Sequence, residues 1–178
     1  MLLERLGIPF EVFSPEIDES PRHGEKASKL VSRLAANKAR TVAMRFPSSL
    51  IIGSDQLAVC KAKIVGKPGS AENAIEQLQA FCGQTVHFLT AVSVVCSDTA
   101  FHYEQTVVTD VCFRKLSNEE ICRYVEMDKP IDCAGSFKSE AAGISLLQSM
   151  TSKDPTAIIG LPLIAVSEAL RKAGLHAP

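Results

Sequence analysis

Leu50-Ile51-Ile52-Gly53-Ser54-Asp55-Gln56 opens on an unbroken apolar run and then turns abruptly polar. A short continuous apolar run fits a strand buried on both faces. Open α/β sheets place their ligand sites at the carboxyl ends of such strands. Upstream, Ala27, Val31, Leu34, Ala35, Val42 and Phe46 recur at helical spacing and predict a long helix ending before Pro47. Lys38 falls in the middle of that stripe. Downstream, Ser70 is a good N-cap for a helix whose face is Ala74, Ile75, Leu78, Phe81 and Cys82, with Gly83 as its stop. Residues 86–96 and 106–113 are rich in β-branched and aromatic side chains and read as an antiparallel pair.

The remaining segments complete the pattern. Residues 1–6 resemble the tail of a helix capped by Gly7. Residues 9–14, 144–147 and 156–159 read as short strands. Ser117 and Glu120 form a capping box for a helix running to about Met127. The final helix has Pro162 in its first turn, a face of Leu163, Val166 and Leu170, and Gly174 as its stop. The expected architecture is α/β: one domain over residues 1–178, with a mixed sheet flanked by helices.

Composition bounds the function. The chain has 178 residues, 46% hydrophobic and 22% charged, the balance of a globular protein large enough for one real core. Nineteen Lys and Arg against twenty Asp and Glu give a net charge of -1. Such a chain has no global field for nucleic acid or an anionic membrane, so neither is an expected partner. No apolar run approaches the ~20 residues of a membrane span, and no secretory leader pattern is seen. The six cysteines show no C-x-x-C spacing and read as small buried hydrophobes in a reducing compartment. The expected location is the cytoplasm.

Chemistry-bearing residues occur in separate places. Asp55 is either a turn residue after a strand or a carboxylate at a crevice rim that holds a metal or takes a proton from water. Asp18-Glu19-Ser20-Pro21-Arg22 is either a solvated loop or a pair of acids that anchors hydrated Mg²⁺ beside an Arg. Lys38 either snorkels to the surface or aims a partly desolvated cation into a phosphate pocket. Gly66-Lys67-Pro68 and Ala134-Gly135-Ser136-Phe137-Lys138-Ser139-Glu140 each carry a Lys among small residues, where a backbone can approach a ligand closely. Neither matches the Walker pattern, which excludes a P-loop ATPase.

Read in order, these segments resemble the Maf family of nucleotide pyrophosphatases. The resemblance covers essentially the whole chain. It rests on Leu6-Gly7-Ile8-Pro9-Phe10, Glu16-Ile17-Asp18-Glu19, Arg33-Leu34-Ala35 with Lys38-Ala39, Gly53-Ser54-Asp55-Gln56, Gly66-Lys67-Pro68, the segment from Ala134 to Glu140, and Ile159-Gly160-Leu161-Pro162-Leu163. It implies an α/β fold related to that of inosine triphosphatases, often dimeric. It also implies hydrolysis of a nucleoside triphosphate to the monophosphate and pyrophosphate with a divalent cation, Mg²⁺ or Mn²⁺. Asp55 matches the proposed proton acceptor, and Glu19 with Asp55 the metal site. Lys38 and Lys67 match cations around the triphosphate, and Arg22 and Lys138 are further substrate-binding candidates.

Gln56 and the Ser136-to-Glu140 segment are similar to the branch that hydrolyses 7-methyl-GTP. Members acting on dTTP and UTP carry Thr after the Asp and Gly-Ala-Tyr-Gly-Ile-Gln-Gly in the later loop. Gln56 and Glu140 are then the specificity positions. A carboxylate at Glu140 suits the N1 and N2 donors of a cationic guanine, and Phe137 is a candidate to stack on its ring. Alternative functions are a non-catalytic nucleotide-binding regulator, given the family's association with septum formation, and a house-cleaning hydrolase of other non-standard nucleotides. Family members begin with a strand and a Ser-x-Ser-Pro-x-Arg-Arg loop, and Met1 falls within the helix that follows. The expectation is weak or absent hydrolysis by this chain and an open sheet edge.

Overall fold

The computed structural model describes residues 1–175. Its regular elements are α1 (Ala27–Ala43), β1 (Ile51–Cys60), β2 (Lys63–Val65), α2 (Ala71–Phe81), β3 (Thr85–Cys96), β4 (Phe101–Phe113), α3 (Asn118–Asp128), β5 (Leu147–Ser152) and α4 (Leu163–Lys172). The strands form one sheet in the order β2-β1-β3-β4-β5. The α/β class is as expected, and the sheet is antiparallel rather than mixed. Short turns join β1 to β2 and β3 to β4, while β2 and α2 intervene between the neighbours β1 and β3, and α3 between β4 and β5. Lys61 and Ala62 both take positive φ and close the β1–β2 hairpin in two residues.

The four longer helices are present as expected, whereas Leu3–Leu6 is a 3₁₀ turn rather than a helix tail and Pro162 is the N-cap of α4 rather than part of its first turn. The Ser70 hydroxyl accepts from the Asn73 amide, and Ser117 and Glu120 make the reciprocal capping box. Gly7 and Gly174 take the left-handed conformation that ends a helix.

The strand predictions for residues 9–14, 144–147 and 156–159 do not hold. Residues 9–14 are neither helix nor strand and lie outside the sheet, so their backbone has no ladder to join. Ala142–Leu146 is a 3₁₀ turn that hands over to β5 at Leu147. Gly143 lies so close to the Lys138 carbonyl that a β carbon there would stand 2.3 Å from its oxygen. Ala157–Ile159 is also a 3₁₀ turn. There the Asp154 carboxylate accepts from the Thr156 amide and hydroxyl, and such side-chain bonds compete with extended pairing.

The chain forms two compact units. The first comprises Met1–Asp55, Thr90–Val107 and the chain from Asp154 on. Its core packs Val92 and Val94 of β3 on Ala165, Val166, Ala169 and Leu170 of α4. A second cluster joins Ala39 and Ala43 of α1 to Ile51 and Val95. The other unit comprises Gln56–Leu89 and Val108–Lys153. There α2 packs on α3, and the rings of Phe81, Phe88, Phe113 and Phe137 form a linked aromatic core. No helix among the described residues is long and apolar enough to cross a membrane.

Candidate active site

In the first unit the site begins with a missing side chain. A β carbon on Gly53 would stand 2.4 Å from the Ala35 carbonyl oxygen and 2.6 Å from the Ala39 nitrogen. Glycine therefore lets α1 lie directly against β1. Side chains alternate along a strand, so Asp55 faces the same helix as Gly53 while Ser54 and Gln56 face away. Lys38, one residue before the contact at Ala39, reaches down and donates from Nζ to Asp55 Oδ1 at 2.7 Å.

Asp55 is not at the carboxyl end of its strand, as the sequence suggests, but inside it, because β1 continues to Cys60. A mid-strand polar pair is tolerated because both members have partners. The Ser54 hydroxyl lies 2.8 Å from the carbonyl oxygens of Ala91 and Gly160, and the Asp55 side chain, 10% exposed, meets Lys38.

The Lys38 ammonium also lies 2.8 Å from Glu19 Oε1. Burial by itself would lower the Lys38 pKa, but the hydrogen bonds to Asp55 and Glu19 outweigh it and hold the ammonium above its ordinary value. Thus Glu19, Lys38 and Asp55, separated along the chain, converge on one point. Lys38 does not snorkel into open solvent; its side chain is 25% exposed.

The segment bearing Glu19 has no regular structure, and side chains hold it. The Asp18 carboxylate accepts from the Ser20 amide in a local turn. Arg33 of α1 donates through Nε and Nη2 to the two Glu25 oxygens, both at 2.8 Å, and through Nη2 to the Ser20 carbonyl at 2.9 Å. The Arg22 amide donates to Glu25 as well, while the Arg22 side chain is exposed. The Arg33 guanidinium holds Glu25 at a pKa of about 2. Sequence reasoning missed this clamp; its signal was Arg33, quoted only as part of a motif.

A second missed feature is the cap on α4. Asp154, almost fully buried, accepts at Oδ2 from the Ile164 and Ala165 amides, and Thr156 accepts from the Leu163 amide. This carboxylate satisfies the first turn of α4 from a distance in sequence that local capping patterns do not cover.

In the second unit two loops are stitched together. The Gly135 amide and the Gln77 side chain donate to the Gly66 carbonyl, and the Gly69 amide donates to the Ile131 carbonyl. This leaves Lys67 exposed on one loop and Glu140 exposed on the other. Burial raises the pKa of Cys133 between them, with Lys138 and Lys67 opposing and Glu140 and Asp132 reinforcing the shift. Lys138 is engaged: its Nζ donates to the Asp128 carbonyl at 2.6 Å, at the end of α3. Phe137, the candidate for stacking on the base, packs into the aromatic core. It is 5% exposed, with its ring 5.6 Å from Phe113 and 5.8 Å from Phe88, so the aromatic core already uses it.

The donor set around Lys38 suits a divalent cation. Two carboxylate oxygens already flank one positive charge at hydrogen-bond distance. Mg²⁺ commonly takes one or two carboxylates, with phosphate oxygens and water completing its shell. Among the described residues no group of three or more His, Cys, Asp or Glu is arranged to hold a metal.

Comparison with known proteins gives a consistent result. The model of the Maf-like protein family matches residues 1–173. A protein of Aromatoleum aromaticum named 7-methyl-GTP pyrophosphatase is 52% identical over 178 residues, covering 100% of this chain and 92% of that protein. A protein of the same name from Polaromonas is 48% identical over 174 residues, covering 98% of this chain and 80% of its own length. A third, from Pseudomonas aeruginosa, is 47% identical over 177 residues and covers 99% and 92%. With a family match along nearly its whole length and such relatives, this chain belongs to the Maf family.

Proposed function

We propose that this chain is a nucleotide pyrophosphatase that hydrolyses 7-methyl-GTP to 7-methyl-GMP and pyrophosphate with a divalent metal. Water adds to a phosphoanhydride phosphorus, the bridging P–O bond breaks, and pyrophosphate leaves. The carrying observation is the convergence of Glu19 and Asp55 on the Lys38 ammonium. Family membership and the names of the relatives support the same reaction class and substrate.

Each group has work suited to its chemistry. Asp55, fixed by Lys38, accepts a hydrogen bond from the attacking water and takes its proton. Lys38 keeps a positive charge beside the reacting phosphates, a fixed electrostatic term that needs no reorganisation. Glu19 and Asp55 would hold Mg²⁺ or Mn²⁺, which when bound neutralises phosphate charge. Lys67 is proposed as a second cation for the phosphates, and Gln56 and Glu140 as base-specificity residues. Arg22, exposed and next to the Glu19 turn, is proposed as a further phosphate contact.

A substrate panel scored by pyrophosphate release tests this. The expected result is faster release from 7-methyl-GTP than from GTP, ITP, dTTP or UTP, and dependence on added Mg²⁺ or Mn²⁺. Faster release from ITP or a pyrimidine triphosphate would reassign the substrate. Nucleotide binding by calorimetry without any pyrophosphate released would replace the enzyme with a binding protein.

A further inference from the structure

We infer that Arg33 and Glu25 are positioning residues that present Glu19 to Lys38. The inference deepens the proposed function and rests on it for the catalytic consequence. Glu19 lies on a stretch without helix or strand, and its side chain is 57% exposed. A glutamate in such a place ordinarily samples many rotamers, and a surface ion pair alone does not fix it. Here the backbone on its carboxyl side is fastened. The Ser20 carbonyl accepts from Arg33, and the same guanidinium grips both Glu25 oxygens.

The Arg33 and Glu25 side chains are only 15% and 10% exposed, so the pair is shielded as the Glu19 carboxylate is not. A planar guanidinium can serve Glu25 with two parallel bonds and still donate to a carbonyl; a lysine ammonium has no such fork. Arg33 and Lys38 also stand on one rigid helix, about 7.5 Å apart along its axis. The clamp and the ammonium therefore share one frame. α1 holds the loop at Ser20 and, further along, receives the carboxylate of the adjacent residue. The loop is registered to the helix that carries its target.

The test compares Arg33→Lys, Glu19→Gln and the double variant. Arg33→Lys keeps the charge and the helix, and thermal melting checks its fold. The specific readout is the order of the Glu19 and Ser20 backbone amides, followed by nuclear magnetic resonance relaxation. Arg33→Lys is expected to raise their mobility, because the Ser20 carbonyl loses the guanidinium that fastens it. Glu19→Gln leaves that backbone fastened, so these amides stay as ordered as in the unaltered protein, and the double variant matches Arg33→Lys. Amides as ordered in Arg33→Lys as in the unaltered protein would overturn the inference.

Turnover supplies the second arm. Arg33→Lys is expected to lower kcat about tenfold, and adding it to Glu19→Gln to cost nothing more. Losses that multiply would show that Arg33 acts by another route. Pyrophosphate release by the unaltered protein judges the proposed function separately, because the order of the Glu19 and Ser20 amides decides the clamp whether or not the chain turns over substrate.

Discussion

Gly53 of β1 and Ala35 of α1 are closer than any other residue at position 53 would allow. A β carbon there would stand 2.4 Å from the Ala35 carbonyl oxygen. That approach sets the height of α1 above the sheet, and with it the reach of Lys38 to Asp55.

Gly53→Ala is therefore expected to destabilise the fold and impair the site together. The obstructing atoms are backbone, so the helix itself must shift. Overpacking of this kind typically costs about 1–3 kcal/mol. Chemical denaturation would measure the loss, and pyrophosphate release at a temperature where the variant stays folded would measure the displacement. A variant with native stability and rate would show that α1 can lift without cost.

Asp55→Asn removes the proposed proton acceptor and leaves its shape. Turnover is expected to fall by on the order of 10²–10³ while the circular dichroism spectrum is unchanged. Lys38→Met keeps the length of the stem and deletes the ammonium, leaving the Asp55 and Glu19 carboxylates without the cation they share. It should also lose turnover heavily. A near-native rate for Asp55→Asn would sink the assignment of this carboxylate.

Glu25 gives a pH signature. Hydrogen bonds from Arg33 and from the Arg22 amide depress its folded pKa from 4.5 to about 2. Between these values the unfolded chain takes up the proton and the folded chain resists it, so acid favours unfolding. The contribution is fully present above 4.5 and lost as the pH falls through about 2. Melting temperatures of the native protein and Glu25→Gln, followed from neutral to strongly acid pH, should differ most above 4.5 and converge toward 2. A gap that stays constant across this range would contradict the pairing.

Glu140→Gln tests substrate choice. Glu140 is exposed, and no buried charge is stranded by removing it, so stability should hardly change. The ratio of kcat/KM for 7-methyl-GTP over GTP is expected to drop several-fold, because a carboxylate favours the cationic base and an amide does not. An unchanged ratio would remove Glu140 from the specificity set.

Much of this was legible in the sequence because it is local chemistry. Ser70 and Ser117 announced their helices since a hydroxyl next to orphan amides acts within a single turn. The Gly-x-Asp motif and the lysine in the apolar stripe marked Asp55 and Lys38 without showing that they touch. The short strands were misread because residues 9–14, 144–147 and 156–159 carry strand-like side chains where the chain is held by other means. At 156–159 that means is the Asp154 carboxylate, which is occupied with the turn and with α4. The packing of Phe137 was not legible because its neighbours Phe88 and Phe113 are remote in sequence.

By itself the sequence determined the α/β class, the longer helices and the family, and it singled out the candidate reactive groups, all of which follow from residue type and short-range spacing. Only the tertiary structure decided that Asp55 lies inside a strand, that Glu19 and Asp55 share one ammonium, that Arg33 fastens the Glu19 loop, and that Phe137 belongs to the core. Hydrogen bonds and packing act over a few ångströms, and folding alone brings together residues that the chain keeps far apart.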